Sequence, residues 1–360
     1  MHHPPSRPHR ASKRQLPPPT VITHPVEIAA ERPLVNCAIE ASPRLRQWMR
    51  TRGISLAVST GADSRIVTLG AGASGLAVFD VTCDSPGALL QTEAGLYAAA
   101  DERVWRFDDA LSAGEQFQGA ERLCLPSQCR RTGAIGIQDL AVEEIGRLLA
   151  AVAGFNCIAR MNSRGDLKPI WRPSFIDTIV KDDRCHLTGF CLRDGALAYV
   201  TLAAVSNEKD GWRRQAIGGG QVIDAATHRV VAEGLNLPHA PRLYRNRLWI
   251  LDSGSGGFGW IDCERRRFER FAELPGFPRG LRFLGDHALV TTSRLRGAQD
   301  GSPGIHWVNI KTGRIDHQLS LQGTFSEAID VAVIPGEAVP RLAGLSLADS
   351  GLEAPSRIAV

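Results

Sequence analysis

The polar residues best suited to chemistry in this sequence recur at a regular spacing, each at the start of a short apolar segment. The five clearest segments begin at Gln138-Asp139, His186, His239, Arg279 and Asp330. Successive starts are 40 to 53 residues apart. Because the same kind of position recurs along the chain, we expect the fold to bring these side chains to one place.

The residue types at these starts are those of a metal centre or of an acid–base site. His186 and His239, with one or two carboxylates, can hold a divalent transition metal that keeps an open position for substrate. Asp139 could accept a hydrogen bond from the second nitrogen of one ring. Arg279 would bind a carboxylate or phosphate in bidentate fashion, and His186 could instead act as a general base. The catalytic candidates are therefore His186, His239 and Arg279, and the two histidines are the metal-ligand candidates.

Further residues are candidates for ligand binding because they share these positions or lie in a long loop: Gln138, Asp139, Trp212, Arg213, Glu327 and Asp330. Trp212 could stack on a ligand or cap the core. Its loop is of a length that is often functional. Three interpretations stay open for the whole set: a metal site, a polar pocket without metal, and hydrogen bonds that only tie strands together.

The segments between these positions predict the fold that must hold them. Short apolar or alternating runs follow one another, separated by turn-forming residues, and the chain contains 36 Gly and 21 Pro. A weaker sixth start lies near Pro86, which is 52 residues before Gln138. Six repeats of this length are typical of the four-stranded blades of a propeller. The sequence therefore predicts an all-β fold, a six-bladed β-propeller.

The ends of the chain indicate how the ring closes. The start at Asp330 is followed by little more than one clear strand, whereas strands from Ile54 onward precede the first repeat. Those N-terminal strands can complete the last blade, which leaves no free sheet edge. We expect a disordered, basic and Pro-rich tail over residues 1–33, the propeller over 34–337 and a C-terminal tail over 338–360. One short amphipathic helix, Ala41–Arg52, precedes the ring.

Composition and charge exclude several classes of partner. No apolar run reaches the ~18 residues that a membrane-spanning helix needs, so no membrane is expected as a partner. The net charge is +4, of which residues 1–32 carry +3, so the folded part lacks the basic surface of a nucleic-acid-binding protein. The eight cysteines show no zinc-knuckle spacing and are expected to be reduced thiols of a cytoplasmic protein.

Several motifs together resemble an uncharacterised, mainly bacterial family of conserved hypothetical proteins with a predicted β-propeller-like domain. The resemblance covers about residues 34–337 and rests on the following segments: Val35–Cys37, Ser55–Thr60, Trp105–Phe107, Phe155–Cys157, Trp171–Pro173, Asp183–Leu187, Gly211–Arg213, Leu237–Arg242, Leu274–Leu281 and Asp330–Val333. It implies the propeller fold and no particular reaction. It also implies a His-Asp or His-Glu pair where this chain has Gln138-Asp139, and that departure weighs against a metal site here.

Two functions fit these observations. The first is an enzyme that acts on a small molecule or a peptide at the channel mouth formed by His186, His239 and Arg279. The second is a propeller module that binds a ligand or a partner protein without chemistry. The replacement of the implied histidine by Gln138 favours the second function.

Overall fold

The computed structural model describes residues 38–345, except residues 113, 145, 296–301, 337, 338 and 344. The tail predicted for residues 1–33 lies outside this range. One α-helix, α1 at Leu45–Arg52, is described, and it ends at Gly53 in the left-handed conformation. Four single-turn 3₁₀ helices lie at Gly61–Asp63, Ala153–Phe155, Gly211–Arg214 and Ser253–Ser255. No helix in the described ranges has the length and apolar character that a bilayer crossing requires.

Most of the described chain is β-strand, as the short alternating runs predict. The strands in chain order are β1 Ile39–Ala41, β2 Ile54–Ser59, β3 Arg65–Ala71, β4 Leu76–Thr82, β5 Pro86–Thr92, β6 Gly95–Ala100, β7 Arg103–Asp109, β8 Arg122–Arg131, β9 Ile137–Val142, β10 Leu148–Val152, β11 Cys157–Met161, β12 Leu167–Trp171, β13 Leu187–Arg193, β14 Ala196–Leu202, β15 Gly220–Asp224, β16 Val230–Leu235, β17 Pro238–Tyr244, β18 Arg247–Asp252, β19 Gly257–Asp262, β20 Arg267–Glu273, β21 Phe277–Leu284, β22 His287–Ser293, β23 Gly304–Asn309, β24 Ile315–Leu321, β25 Asp330–Pro335 and β26 Pro340–Leu342.

These strands form six sheets, antiparallel except for the β8–β26 pair, and each sheet is one blade of the predicted propeller. From the innermost strand outward, blade 1 is β25-β2-β3-β4, blade 2 is β5-β6-β7-β8-β26 and blade 3 is β9-β10-β11-β12. Blade 4 is β13-β14-β15-β16, blade 5 is β17-β18-β19-β20 and blade 6 is β21-β22-β23-β24-β1. The six innermost strands begin within two residues of the six repeat starts predicted from the sequence. The six-bladed propeller is therefore confirmed.

Blade 1 closes the ring with strands from both ends of the chain. The C-terminal strand β25 pairs with β2 over six residues, from Ser59 opposite Asp330 to Ile54 opposite Pro335. This closure is the predicted one. Two further strands extend neighbouring blades: β1 pairs with β24, and β26 pairs in parallel with β8. The strand β26 lies in the segment 338–360, which the sequence analysis assigns to the C-terminal tail.

The core of the described chain is divided among the junctions between blades. Each of six buried apolar clusters joins two neighbouring blades. Helix α1 occupies the junction of blades 6 and 1, where Trp48 packs edge-on against Trp307 and His287. The helix begins at Leu45 instead of Ala41 because Ile39–Ala41 pairs with the outer edge of blade 6. The junctions fix the blades around the axis and so fix what faces the channel.

Candidate functional site

The inner strands all start at one end of the ring, which we call the channel mouth. Two cavities lie there. The outer mouth pocket has a volume of about 410 Å³ and is lined by residues that include Gln138, Arg279 and Glu327. The inner mouth pocket, of about 20 Å³, is lined by Gln138, Arg279, His239 and both axial aspartates, Asp139 and Asp330. Gln138, Arg279 and Ile329 line both cavities, so the two pockets are adjacent.

The first half of the pocket floor is a buried ion pair between blades 3 and 5. The Arg242 guanidinium donates to both carboxylate oxygens of Asp139, at 2.7 and 2.9 Å. The same guanidinium donates to the carbonyl of Phe190 in blade 4, at 3.0 Å. Asp139 also accepts the backbone N–H groups of Leu140 and Phe190, at 3.0 and 3.2 Å. This one pair therefore ties three successive blades together.

The second half of the floor repeats this arrangement between blades 6, 1 and 2. Arg282 donates to Asp330 at 2.9 Å and to the carbonyl of Leu89 at 2.6 Å. Asp330 accepts the backbone N–H of Leu89 at 3.0 Å. Burial raises the pKa of the Asp330 carboxyl, and the neighbouring Arg282 charge opposes that rise. Gly280 gives this pair its space, because a Cβ there would lie 2.7 Å from the Asp330 carboxylate.

These two pairs form the charged floor of the mouth. Asp139 and Asp330 are 3% and 6% exposed, and their oxygens are occupied by arginine and backbone donors. They were predicted as ligand-binding residues. The structure places them in the lining of the inner pocket, where each carboxylate is paired with an arginine and accepts backbone hydrogen bonds as well. The floor of the mouth is consequently built from paired charges.

His239 lies at the wall of the inner pocket with one ring nitrogen already used. Its Nδ1 is 2.7 Å from the carbonyl of Leu237 and 2.9 Å from the hydroxyl of Ser253. A carbonyl only accepts, so Nδ1 carries the proton and Nε2 keeps its lone pair. Burial, with a contribution from the Arg279 charge, lowers the pKa of His239 to about 3. His239 is therefore a neutral hydrogen-bond acceptor over the physiological pH range.

The backbone around His239 adopts a conformation that is rare for such residues. Leu237 and Ala240 both have left-handed φ angles, at +48° and +49°. Residues with a side chain in this region carry strain of about 1–3 kcal/mol each, and such strain is concentrated at functional sites. The strain here places the imidazole beside the inner pocket.

The outer pocket brings charges of both signs together. Arg279 and Arg103 supply cations, and Asp101 and Glu327 supply anions. Glu327 is positioned by the first 3₁₀ turn of the chain, because its Oε2 accepts the backbone N–H of Ala62 at 3.0 Å. Arg279 is the cation shared with the inner pocket, and its charge is felt at His239.

His186 belongs to a second polar group at the mouth, beside the cavities. Its Nδ1 lies 2.7 Å from Asp183 Oδ2, and its ring stacks on Trp212 with centroids 4.1 Å apart. Arg213 in turn covers the other side, with its guanidinium 4.4 Å from the Trp212 ring centroid. His186 contributes to the low pKa of His239, so the two groups are electrostatically coupled. His186, Trp212 and Arg213 do not line either mouth pocket.

Asn156 holds the segment that presents His186. It is fully buried, and its side-chain oxygen accepts the N–H groups of Arg184 and Cys185 at 2.9 and 3.0 Å. Its amide nitrogen donates to the carbonyl of Asp182 at 2.7 Å. The long loop after β14 is fixed to the same segment, where the N–H of Trp212 donates to the Arg184 carbonyl at 3.0 Å. This hydrogen bond holds the Trp212 ring in its stacking contact with His186.

The part of the chain that the structure describes contains no complete set of metal ligands. No group of three or more His, Cys, Asp or Glu side chains there is arranged to hold an ion. His186 and His239 each use Nδ1 internally, and the nearby carboxylates of Asp139 and Asp330 are bound by arginines. The described cysteines, seven in number, are free thiols.

Sequence reasoning missed three residues that shape the site: Asp183, Arg242 and Arg282. The sequence does contain a repeated position for the two arginines. Arg242 lies three residues after His239, and Arg282 lies three residues after Arg279. Asp183 precedes His186 by three residues, a spacing that carries no signal outside a helix. Which partner each arginine takes depends on the ring closing, and no local pattern encodes it.

Comparisons with known proteins identify a family and add no activity. No curated protein matches the chain. A solved structure of virginiamycin B lyase from Staphylococcus aureus is similar with 11% identity and a TM-score of 0.39, over 74% of this chain and 79% of that one. The profile of a family described as a domain of unknown function, DUF4915, matches residues 43–342. The chain therefore belongs to that family of unknown function, as its sequence motifs indicate.

Proposed function

We propose that this protein is a ligand-binding propeller whose mouth pocket takes a small molecule that carries a carboxylate. The observation that carries the proposal is the position of Arg279, which lines both the outer and the inner pocket. A guanidinium at the junction of a wide and a narrow cavity can bind a carboxylate at two points while the rest of the ligand occupies the wider space.

The other groups at the mouth support recognition of such a ligand. Gln138 lines both cavities and can donate or accept through its amide. Neutral His239 can accept from a ligand hydroxyl or amide through Nε2. The volume of about 410 Å³ falls within the usual range of small-molecule pockets.

The properties of the histidines favour binding over catalysis. A general base works best when its pKa lies near the working pH, and burial lowers the pKa of His239 to about 3. His186 has the carboxylate partner that a base needs, yet Trp212 covers its ring and it lines neither pocket. An enzymatic role is the second candidate, favoured by the Asp183–His186 pair alone.

The test is calorimetric titration of the purified protein with a panel of small carboxylic acids and their matched amides. We expect at least one acid to bind, its amide to bind at least tenfold more weakly, and Arg279→Gln to remove that preference. Arg279→Lys should restore part of it. Arg229→Gln, which alters an exposed arginine on another face, is the control and should change nothing. The proposal is wrong if no acid binds, or if Arg279→Gln binds the acids as the unaltered protein does.

For the second candidate, turnover of any panel compound should be abolished by His186→Ala and by Asp183→Asn while its binding persists. Turnover that survives both substitutions would remove the dyad from consideration.

A further inference from the structure

A cavity with a volume of about 1000 Å³ lies away from the mouth, between blades 2 and 3. We call it the interblade cleft and define it by six of its lining residues: Tyr97, Arg130, Arg147, Arg160, Met161 and Lys168. Much of its lining comes from the β9–β10 and β11–β12 turns. Those turns lie at the end of the ring opposite the mouth, because β9 starts at the mouth.

The cleft carries an excess of positive charge. Arg160 is neutralised by Glu143, with which it forms two hydrogen bonds of 2.6 and 2.7 Å. The Arg147 and Lys168 side chains are exposed and take part in no hydrogen bond or salt bridge with the described residues. The pKa of Glu143 is lowered by its hydrogen bond with Arg160 and, to a smaller extent, by the Arg147 charge. Arg130 donates to the Gln128 amide at 3.0 Å and has no carboxylate partner among them.

The one opposing charge in the lining is already engaged. Asp166 accepts a hydrogen bond from the Asn162 amide at 2.8 Å, within the β11–β12 turn. Three cations without an ion-pair partner, set against this single carboxylate, leave the cleft suited to an anion with two or more negative charges.

The inner surface of the cleft is apolar, in contrast to its rim. Tyr97, Leu148, Met161 and Leu167 form this surface and are each at most 8% exposed in the folded chain. The Arg130 guanidinium lies over the Tyr97 ring, 5.9 Å from its centroid, and offers a flat face for stacking. The Arg130 Nε is buried and has no hydrogen-bond partner in the described chain. A partly buried, unsatisfied arginine donor is expensive unless a ligand supplies the acceptor.

We infer that the interblade cleft is a binding site for an organic phosphate of nucleotide size, with its phosphates on Arg130, Arg147 and Lys168 and its planar body on the apolar surface. A ligand must carry two or more negative charges to match these cations. This requirement distinguishes it from the ligand proposed for the mouth, which carries a single carboxylate. The volume accommodates a mononucleotide, since sites for molecules of that size occupy about 300–1000 Å³. The inference is independent of the proposed function of the mouth.

The test is calorimetric titration of the full-length protein with ADP, inorganic pyrophosphate and adenosine at about 150 mM salt, which screens non-specific attraction. We expect ADP to bind at least tenfold tighter than either fragment. The double variant Arg147→Gln/Lys168→Gln should weaken ADP binding at least tenfold. Both side chains are exposed and unpaired, so this variant is expected to fold normally.

The matched control is Arg229→Gln/Arg314→Gln, which removes two exposed arginines elsewhere and should keep ADP affinity within twofold. Arg279→Gln should also leave ADP binding unchanged, which separates the cleft from the mouth. Three outcomes would overturn the inference: no saturable ADP binding, equal affinity for ADP and pyrophosphate, or equal losses in the two double variants. Binding of an acidic peptide in place of ADP would overturn it as well.

Discussion

Removal of Arg242 should destabilise the propeller far more than removal of a surface arginine. The Arg242→Met substitution takes two hydrogen bonds of 2.7 and 2.9 Å from the Asp139 carboxylate, which is 3% exposed. It also leaves the Phe190 carbonyl without its 3.0 Å donor. Breaking a buried pair in this way costs about 3–5 kcal/mol, because the remaining charge stays buried without compensation.

A second substitution separates the buried charge from the lost packing. In Asp139→Asn/Arg242→Met the charges of this pair are removed, and the single Asn oxygen can still accept one of the two backbone N–H groups that the carboxylate accepts, that of Leu140 or that of Phe190. The double variant should therefore recover about 1–2 kcal/mol relative to Arg242→Met.

The assay is equilibrium urea denaturation followed by tryptophan fluorescence. The control is Arg245→Met, whose ion pair with Asp286 lies at the surface, with the Arg245 side chain 48% exposed. Its denaturation midpoint should stay close to that of the unaltered protein. The reasoning is refuted if Arg242→Met loses no more stability than Arg245→Met, or if the double variant is less stable than Arg242→Met.

Burial lowers the pKa of His239 to about 3 and of His306 to about 4, so below pH 6.5 the unfolded chain binds more protons and stability falls as the pH drops towards 4. Each of these two histidines accounts for about 2 kcal/mol of that loss at pH 5. His306→Gln should therefore reduce the difference between the urea midpoints at pH 7 and pH 5, and an unchanged difference would contradict the assignment. The double variant Ala57→Cys/Ala332→Cys should form a disulfide under oxidising conditions, because β2 and β25 place these two residues opposite each other. The control Ala57→Cys/Ala288→Cys, whose second residue lies in blade 6, should form none. Elemental analysis should find no stoichiometric transition metal, and near-equimolar metal that is lost in His186→Ala/His239→Ala would overturn the metal-free description.

The architecture was predictable because it depends on a pattern that local sequence contains. A polar residue followed by an apolar strand recurs at about 50-residue spacing, and each recurrence marks an inner strand. The closure by β2 and β25 was also predictable, since the last repeat is visibly incomplete. The strands β1 and β26 were missed because three-residue strands at a sheet edge carry almost no periodicity.

The sequence indicated which residues lie at the mouth, but it did not indicate their partners. His239, Arg279, Gln138 and Glu327 do line the mouth pockets, as their repeat positions indicate. The partner of Asp139 is Arg242, which is 103 residues away, and that contact exists only after three blades are assembled. The cover of Trp212 on His186 likewise depends on how a long loop folds back on its own blade.

The most direct test of the account is a crystal structure of the protein with the tightest-binding carboxylic acid of the panel. The account predicts the ligand carboxylate within hydrogen-bond distance of the Arg279 guanidinium, at the junction of the outer and inner mouth pockets. A ligand found in the interblade cleft or on the outer surface, with the mouth filled only by water, would contradict it.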